Sequence, residues 1–469
     1  MKLDNTELKK KNSIDHIGTI FYYEDKILRA IKKESVSHVK MLLSCGLIDE
    51  LVEKNYFPRT SITTYEIEGY SLVLEHEKLE NWNHSYEWSF DMLKDVALLV
   101  IEINEISNRY GYQLYDCHAS NVIFNYNKPI YIDLGSFLKT EDSTVWLGRD
   151  IFIASYYMPL KLYSLGYAKT ARNIALSVNY YSEQEFMMIN NVVFRFLGAN
   201  FLTKIAKFRS NINAIFRNNE SDVREKLNQK HAIYAFLAIL IKRYFKFLAF
   251  SNRKAKKLIN DLQIYKTASA WGDYQEEINL KKEKRFNKIV DIVNNFDDAT
   301  SVIEFAANQG KLSSHLLENS KIKKVIATDY DANAVNAMYI KNRESQNFLP
   351  LLIDFVKPEG RAFDRNLEIR LSADVSIALA VTHHLILTQG SDLDYILRTI
   401  SKFTDKYIII EFMPLGLFGG DLETTPETPG YYTAEWFKET CMQHFALISD
   451  EEVDYNRHLF VGKIRGSDT

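Results

Sequence analysis

The sequence predicts an α/β unit over residues 285–469, a Rossmann-like, mostly parallel sheet with helices on both faces, and an α+β unit over residues 1–250. Downstream of residue 285, apolar runs of strand length alternate with amphipathic helical stretches, the pattern of crossover connections. Upstream, short alternating runs at about 15–85 give way to helical periodicity at about 86–250, interrupted by a strand-rich island at Val122–Ile132. Between the two lies 251–284, dense in charge (NRKAKK, KKEKR), which reads as a linker or helical connector. A chain of 469 residues also exceeds what one core usually supports.

In the first unit, strands are expected at Thr19–Tyr23 and Lys26–Ile31, a helix at Val36–Lys54, and strands again at Ile62–Ile67 and Tyr70–Glu75. The helix before the island is the best specified. Ser89 can cap it, Met92, Val96, Leu99, Val100, Ile103 and Ile106 share one face, and Gly111 stands just past its end. That helix carries core.

Net charge is −3, so the chain has no overall attraction for nucleic acid, and none is expected as a partner. Three cysteines lie far apart without metal-binding spacing, which points to a reducing compartment. The opening MKLDNTELKKKN lacks a secretory apolar core, and a cytoplasmic location is expected. The most apolar stretch, Ile233–Phe250, is interrupted by Lys242, Arg243 and Lys246 and is too short to span a bilayer; it reads as a buried helix with a basic edge, the alternative being weak contact with a membrane surface. The basic, aromatic-rich segments of 196–250 read as solvated helix faces.

The chemistry is concentrated in SVIEFAANQGKLSSHLLENSKIKKVIATDYD, residues 301–331. A strand enters a small-residue turn through Glu304, Ala306, Asn308 and Gly310, a helix starts near Lys311, and the next strand ends on Asp329. Such a turn lets backbone approach a ligand, and a carboxylate at the second strand end can accept both hydroxyls of a ribose. A pyrophosphate cradle would want three glycines where only Gly310 stands. One glycine and the added acid Glu304 suit an adenosine-type ligand with a cationic head, such as S-adenosylmethionine. Further strands are expected to end at Asp354, at Thr382-His383-His384 and at Glu411. In an open parallel sheet all these ends face one crevice.

These stretches resemble the class I S-adenosylmethionine-dependent methyltransferases and, more narrowly, the NoeA-type nodulation protein family, which joins a kinase-like region to a methyltransferase. IEFAANQGKLSSHL, IATDYDANAV, LPLLIDFVKP, DVSIALAVTHHLI and YIIIEFMP carry the resemblance, with Trp271-Gly272-Asp273-Tyr274 upstream. Glu304 replaces the commoner Asp, and Ala306 replaces the commoner Gly. The resemblance implies that Glu304 and the turn hold the methionine end, Asp329 the ribose and Asp354 the adenine amino group. It also implies a carbohydrate or glycoconjugate acceptor. His383 and His384 are candidate bases for an oxygen acceptor, or one of them fixes a loop. Glu411 could orient a histidine or the acceptor, or cap the next segment. A zinc site is not expected, because neighbouring side chains on an extended segment diverge.

A second constellation lies upstream. Asp116, Asn121 and Asp133, the last followed by Leu134-Gly135, have the spacing by which protein-kinase-type phosphotransferases place a proton acceptor and two Mg²⁺ ligands. A kinase-like N-terminal domain is therefore expected, with 15–85 as its small lobe and Asn121 and Asp133 as metal ligands if Mg-ATP binds. No glycine-rich loop is present, and Arg29 stands where the phosphate-binding lysine belongs, so the lobe reads as degenerate. The expected function is methyl transfer aided by this lobe. The alternatives are a bifunctional kinase and methyltransferase using Mg-ATP, and a non-catalytic ligand-binding scaffold.

Overall fold

A computed structural model describes residues 1–4, 6–11, 15–80, 82–141, 146–176, 252–265, 284–358 and 367–465. The expected helices of 196–250, with Ile233–Phe250, and the segment Trp271–Tyr274 lie outside these residues. No helix among the described residues is long and apolar enough to cross a membrane.

The first unit opens on strands β1 (Lys9–Lys10), β2 (Gly18–Tyr23) and β3 (Lys26–Ile31), helices α1 (Val36–Ser44) and α2 (Leu47–Glu53), and strands β4 (Thr60–Ile62) and β5 (Leu72–His76). The strands make one antiparallel sheet in the order β1-β2-β3-β5-β4. Period-two alternation sends Leu28 and Ala30 into a small core with Phe21 and Val73, and Ile31 to the main core. Two expectations need correction. The single helix over Val36–Lys54 is broken at Gly46, whose φ of 88° is left-handed. The strand expected at Ile62–Ile67 stops at Ile62, although Thr63 beyond it still donates its N–H and its hydroxyl to the Val73 carbonyl of β5.

Helix α3 (Phe90–Arg109) buries the expected stripe, and Gly111 follows it at φ 75°. Ser89 occupies the N-cap position, but its hydroxyl makes no capping bond. The Asp91 N–H of the first turn is instead accepted by Asn336 Oδ1 at 2.8 Å. The island resolves into two small sheets, β6 (Tyr112–Leu114) with β9 (Phe137–Lys139) and β7 (Val122–Asn125) with β8 (Lys128–Tyr131). Strands of three residues are too short to show a period, which is why β6 and β9 escape a sequence reading. Helices α4 (Arg149–Phe152), α5 (Met158–Ser164), α6 (Ala168–Leu176) and α7 (Asn252–Asp261) follow. Helix α7, expected as connector, buries Ala255 and Ile259, and Lys94 Nζ donates to the Asn260 and Leu262 carbonyls at its end.

The second unit contains α8 (Lys284–Asn294), β10 (Ser301–Phe305), α9 (Lys311–Asn319), β11 (Lys324–Asp329), α10 (Ala332–Lys341) and β12 (Phe348–Leu352). It continues with α11 (Leu367–Arg370), β13 (Ala373–Ala378), α12 (Leu393–Ser401), β14 (Thr404–Phe412), α13 (Ala434–His444), β15 (Phe445–Asp454) and β16 (Arg457–Ile464). The sheet runs β12-β11-β10-β13-β14-β16-β15; β16 is antiparallel to β14 and β15 to β16, and the others pair in parallel. The crossover reverses beside β10, the switch point at which open α/β sheets bind ligands. Covered on both faces, β10 to β13 read as continuous apolar runs. Asp354 lies just past β12, and Glu411 is the last residue but one of β14, opposite Leu459.

The units share one apolar core, in which Phe124 of β7 meets Tyr339 of α10 edge-on with ring centres 5.9 Å apart. Asp91 and Asn336 exchange two hydrogen bonds, and Arg343 forks onto Asp95 at 2.7 and 2.8 Å. Arg370 pairs with Glu87 at 2.5 Å, with both side chains buried, and donates to the Trp82 carbonyl. Removing Glu87 takes two charge-assisted hydrogen bonds from a buried guanidinium. Glu87→Ala is expected to lower stability by about 3 kcal/mol. Glu344→Ala, at the exposed pair with Lys128, should cost no more than about 0.5 kcal/mol. Urea titration of the two variants checks the contrast.

Candidate active site

After β10 the chain makes a left-handed turn. Ala306, Asn308 and Gly310 have φ of 51°, 52° and 67°. Gly310 is required twice over, since a Cβ there would also come within 2.8 Å of Met338 and Phe348 side-chain atoms. Ala306 and Asn308 hold the same conformation without a glycine's freedom, at a cost of roughly 1–2 kcal/mol each. Ala380, after β13, does so at φ 49°, and all three of these non-glycine residues line one cavity. Strain gathered at a cavity is a mark of a ligand site.

Asp329 fastens the turn. Its Oδ2 accepts the Asn308 N–H and its Oδ1 the Asp331 N–H, both at 2.8 Å. Glu304 Oε2 accepts the Ser313 N–H at 3.0 Å and the Ser313 hydroxyl at 2.5 Å, tying β10 to the first turn of α9. Burial pushes Glu304 up to about 7, against the pull of the Ser313 bonds and Arg285. Burial likewise raises Asp329 to about 6, opposed by the Asp331 and Asn308 N–H groups. Asp354 accepts the Val356 and Lys357 N–H groups at 3.0 Å each.

His383 and His384 start a short π-helical turn, not an extended segment as expected, and their ring centres are 4.1 Å apart. The helical backbone carries both rings to one side. His383 is 5% exposed, and its Nδ1 has no hydrogen-bond partner. Burial, with smaller contributions from His384 and Arg457, depresses its pKa to about 3, so the ring is neutral at working pH. Burial also lowers His384.

Glu411 is fully buried behind this wall. It takes Arg285 Nη1 at 3.2 Å on both oxygens, and Arg457 Nη1 at 2.9 Å and the Ala380 N–H at 2.8 Å on Oε2. Its carboxylate therefore holds two arginines and the strained Ala380 peptide, and its hydrogen bonds reach neither histidine. Its backbone carbonyl accepts the Thr382 hydroxyl, which fixes the segment leading to His383.

A cavity of about 790 Å³ joins these groups. Glu304, Ala306, Asn308, Asp329 and Asp354 line one end, His383, His384, Asn456 and Arg457 the other. Gly310 acts from behind the wall. A larger cleft of about 1170 Å³ between the units, lined by Tyr56, Asn127 and Lys324 among others, contains none of these residues. Sequence reasoning missed Arg285, Asn456 and Arg457. Arg285 sits in a charge run that reads as solvated, and nothing local marks the other two.

In the first unit the structure also gathers Asp116, Asn121 and Asp133. Asn121 Nδ2 donates to the Asp116 carbonyl at 3.1 Å, as does the Tyr131 hydroxyl. Asp133 Oδ1 accepts Gly135 N–H and Arg29 Nη1, each at 3.2 Å, while its Oδ2 accepts the Ser136 hydroxyl. Arg29 is buried and also faces Asp15 at 3.6 Å. Among the described residues no group of three or more His, Cys, Asp and Glu side chains is arranged to hold a metal ion.

No family model matches the chain. It is 26% identical over 417 residues to nodulation protein NoeA of Rhizobium meliloti (strain 1021), which spans 85% of this chain and 83% of that one. Over 116 residues, 22% of this chain and 13% of the relative, it is 30% identical to exocyst complex component SEC10 of Saccharomyces cerevisiae. Among solved structures, a SAM-dependent methyltransferase from Aquifex aeolicus is similar at a TM-score of 0.32 and 14% identity, covering 42% of this chain and 100% of that one. The N-methyltransferase NodS from Bradyrhizobium japonicum WM9 is similar at a TM-score of 0.30 and 10% identity, over 40% of this chain and 98% of that one.

Proposed function

We propose that the second unit is an S-adenosylmethionine-dependent methyltransferase acting on a carbohydrate or glycoconjugate acceptor. One observation carries the reading: three successive strand ends supply Glu304, Asp329 and Asp354 to a single cavity that also takes in both histidines. The donor set suits that cofactor. A left-handed turn opens backbone to close approach, two buried acids beside it favour a cationic ligand, and a third acid stands beyond. The acceptor class rests on the resemblance to the nodulation protein family, in keeping with the relative of that name.

In this reading Glu304 faces the methionine ammonium, Asp329 accepts the ribose hydroxyls on lone pairs its backbone bonds leave open, and Asp354 accepts from the adenine amino group. When bound, the sulfonium supplies a methyl group already activated for displacement. The chain's contribution is then alignment and exclusion of water. Leu379, Val381 and Met413 give the acceptor end its apolar wall. His383, neutral and unpartnered at Nδ1, accepts a hydrogen bond from the acceptor's O–H or N–H and so points its lone pair. A ring with so low a pKa is better suited to orienting an acceptor than to taking its proton outright.

The first unit is read as a degenerate kinase-like lobe. The observation favouring this is the ion pair of Arg29 with Asp133, which places a guanidinium where a phosphotransferase would hold Mg²⁺. Asn121 is spent on the Asp116 carbonyl, and so holds the loop.

Three outcomes are expected. Calorimetry with S-adenosylmethionine should give binding that weakens on the order of 100-fold in Asp329→Ala, the loss of two charge-assisted hydrogen bonds. Equal binding by the variant sinks the cofactor assignment. Affinity should rise from pH 5 to 7.5, because a cationic ligand prefers the ionised acids, whose pKa values of about 6 and about 7 lie in that window. The ligand-free fold changes in the opposite sense. Its two acids bind protons more tightly than their ordinary 3.8 and 4.5, so it loses stability as pH rises through about 4 to 7.

Labelled S-adenosylmethionine incubated with fractionated glycan and small-molecule extract should give a labelled product, and His383→Ala should lower kcat by about 100-fold with cofactor affinity kept. Asp133→Asn should lower the denaturation midpoint by removing one of the two carboxylates that face buried Arg29, without any effect on ATP turnover. Phosphate transfer from Mg-ATP that disappears in that variant would support the bifunctional alternative.

A further inference from the structure

Two side chains on the acceptor end of the cavity are buried with a polar atom left without a partner, His383 at Nδ1 and Asn456 at Nδ2. Asn456, in the turn between β15 and β16, is 7% exposed. Its Oδ1 accepts the Leu415 N–H at 2.7 Å, which fixes the orientation of the amide, because only the oxygen can accept from a backbone N–H. Nδ2 is thereby committed as a donor. Glu411 gathers the two side chains. Its carbonyl accepts the hydroxyl of Thr382, the residue before His383, and its carboxylate accepts Nη1 of Arg457, the residue after Asn456.

No cation here is left over for an anion. Arg457 is matched by Glu411, and Arg285 bonds to Glu411 while also favouring the ionised form of Glu304. The His383 ring is neutral. Asp454 also borders the cavity, but it is exposed and its Oδ1 accepts the Tyr455 N–H. Leu379, Val381, Leu417 and Phe418 make the neighbouring wall apolar.

A buried amide donor without a partner is costly unless a ligand completes it. We propose that Asn456 is a specificity-determining residue, whose Nδ2 donates to an uncharged oxygen of the methyl acceptor while the acceptor's nucleophile donates to His383. The proposal rests on the methyltransferase reading and refines its acceptor to one that is neutral where it enters the cavity, a hydroxyl compound with a second hydroxyl, ether or carbonyl oxygen. An N–H in place of that oxygen would set donor against donor. A carboxylate or phosphate would exchange its hydration for one neutral donor and an apolar wall. An acceptor without the second oxygen would leave Nδ2 unpaired, the kind of mismatch that a site built to hydrogen-bond its substrate rejects most strongly.

The test uses the full chain, tritiated S-adenosylmethionine and a fractionated small-molecule and glycan extract. One portion of extract is amidated with carbodiimide and methylamine, a second is treated with alkaline phosphatase, and a third is left untreated. Labelled product should form equally from all three. Product lost on amidation or on phosphatase treatment overturns the proposal, and these arms need no variant. Asn456→Asp keeps an oxygen for the Leu415 N–H and puts an acceptor where the donor stood. It should raise the half-saturating extract concentration at least tenfold, while calorimetric affinity for S-adenosylhomocysteine changes less than twofold. Asn456→Ser, which adds no charge, should act in the same direction. An unchanged half-saturating concentration in Asn456→Asp makes the side chain a latch for the Leu415 loop alone and overturns the proposal. A loss of S-adenosylhomocysteine affinity that matches the loss of methylation assigns the amide to the cofactor and also overturns it. Wild type that binds no S-adenosylhomocysteine, or yields no product from untreated extract, brings down the methyltransferase reading and this proposal with it.

Discussion

Everything at the nucleoside end depends on how Asp329 is bonded. A carboxylate buried at a strand end is unfavourable until N–H donors surround it, and here the donors come from two different loops. One oxygen draws in the turn after β10, and the other draws in the turn that starts α10. The same acid that would meet a ribose thus sets the separation of the two loops between which the ribose would lie. The strain at Ala306 and Asn308 follows from this, since the Asn308 N–H reaches Asp329 only with the chain in the left-handed region. Glu304 repeats the device on the other side by gripping the first turn of α9. Ligand-facing acids and structural acids are the same residues.

The acceptor end is built on another principle. Glu411 meets no solvent, and its four bonds gather α8, the turn after β13 and the β15–β16 hairpin about one point.

How much of this was legible follows from range. The parallel sheet, the turn at 304–310 and Asp329 could be read because each is encoded within one crossover: apolar runs, small residues, and an acid at a strand end. Helix α3 was legible for the same reason. The failures are of three kinds. Strands of two or three residues, β1, β4, β6 and β9, hold no period, so their pairing depends on partners distant in sequence. Lone arginines carry no local mark either: Arg285 and Arg457 meet only through Glu411, 126 and 46 positions away from it. The paired rings of His383 and His384 were misjudged because an extended backbone was assumed where a helical turn begins.

The contacts between the units bear on the two ends unequally. Helix α10 begins at Asp331, which caps it by accepting the Asn333 and Ala334 N–H groups, directly after the loop that Asp329 fastens. The outward side of the helix is then committed to the first unit through Asn336, Tyr339 and Arg343, which meet Asp91 and Asp95 of α3. Asn336 also serves as the missing cap of α3, so each helix completes the other's exposed backbone or charge. Arg370 and Glu87 fix α11 in the same way, just before β13. The first unit therefore braces the nucleoside end from outside the sheet, while Glu411, Arg285 and Arg457 hold one another within the second unit. A sheet of this kind does not need an outside brace to bind a nucleoside; its presence ties the geometry of the Asp329 loop to the integrity of the first unit.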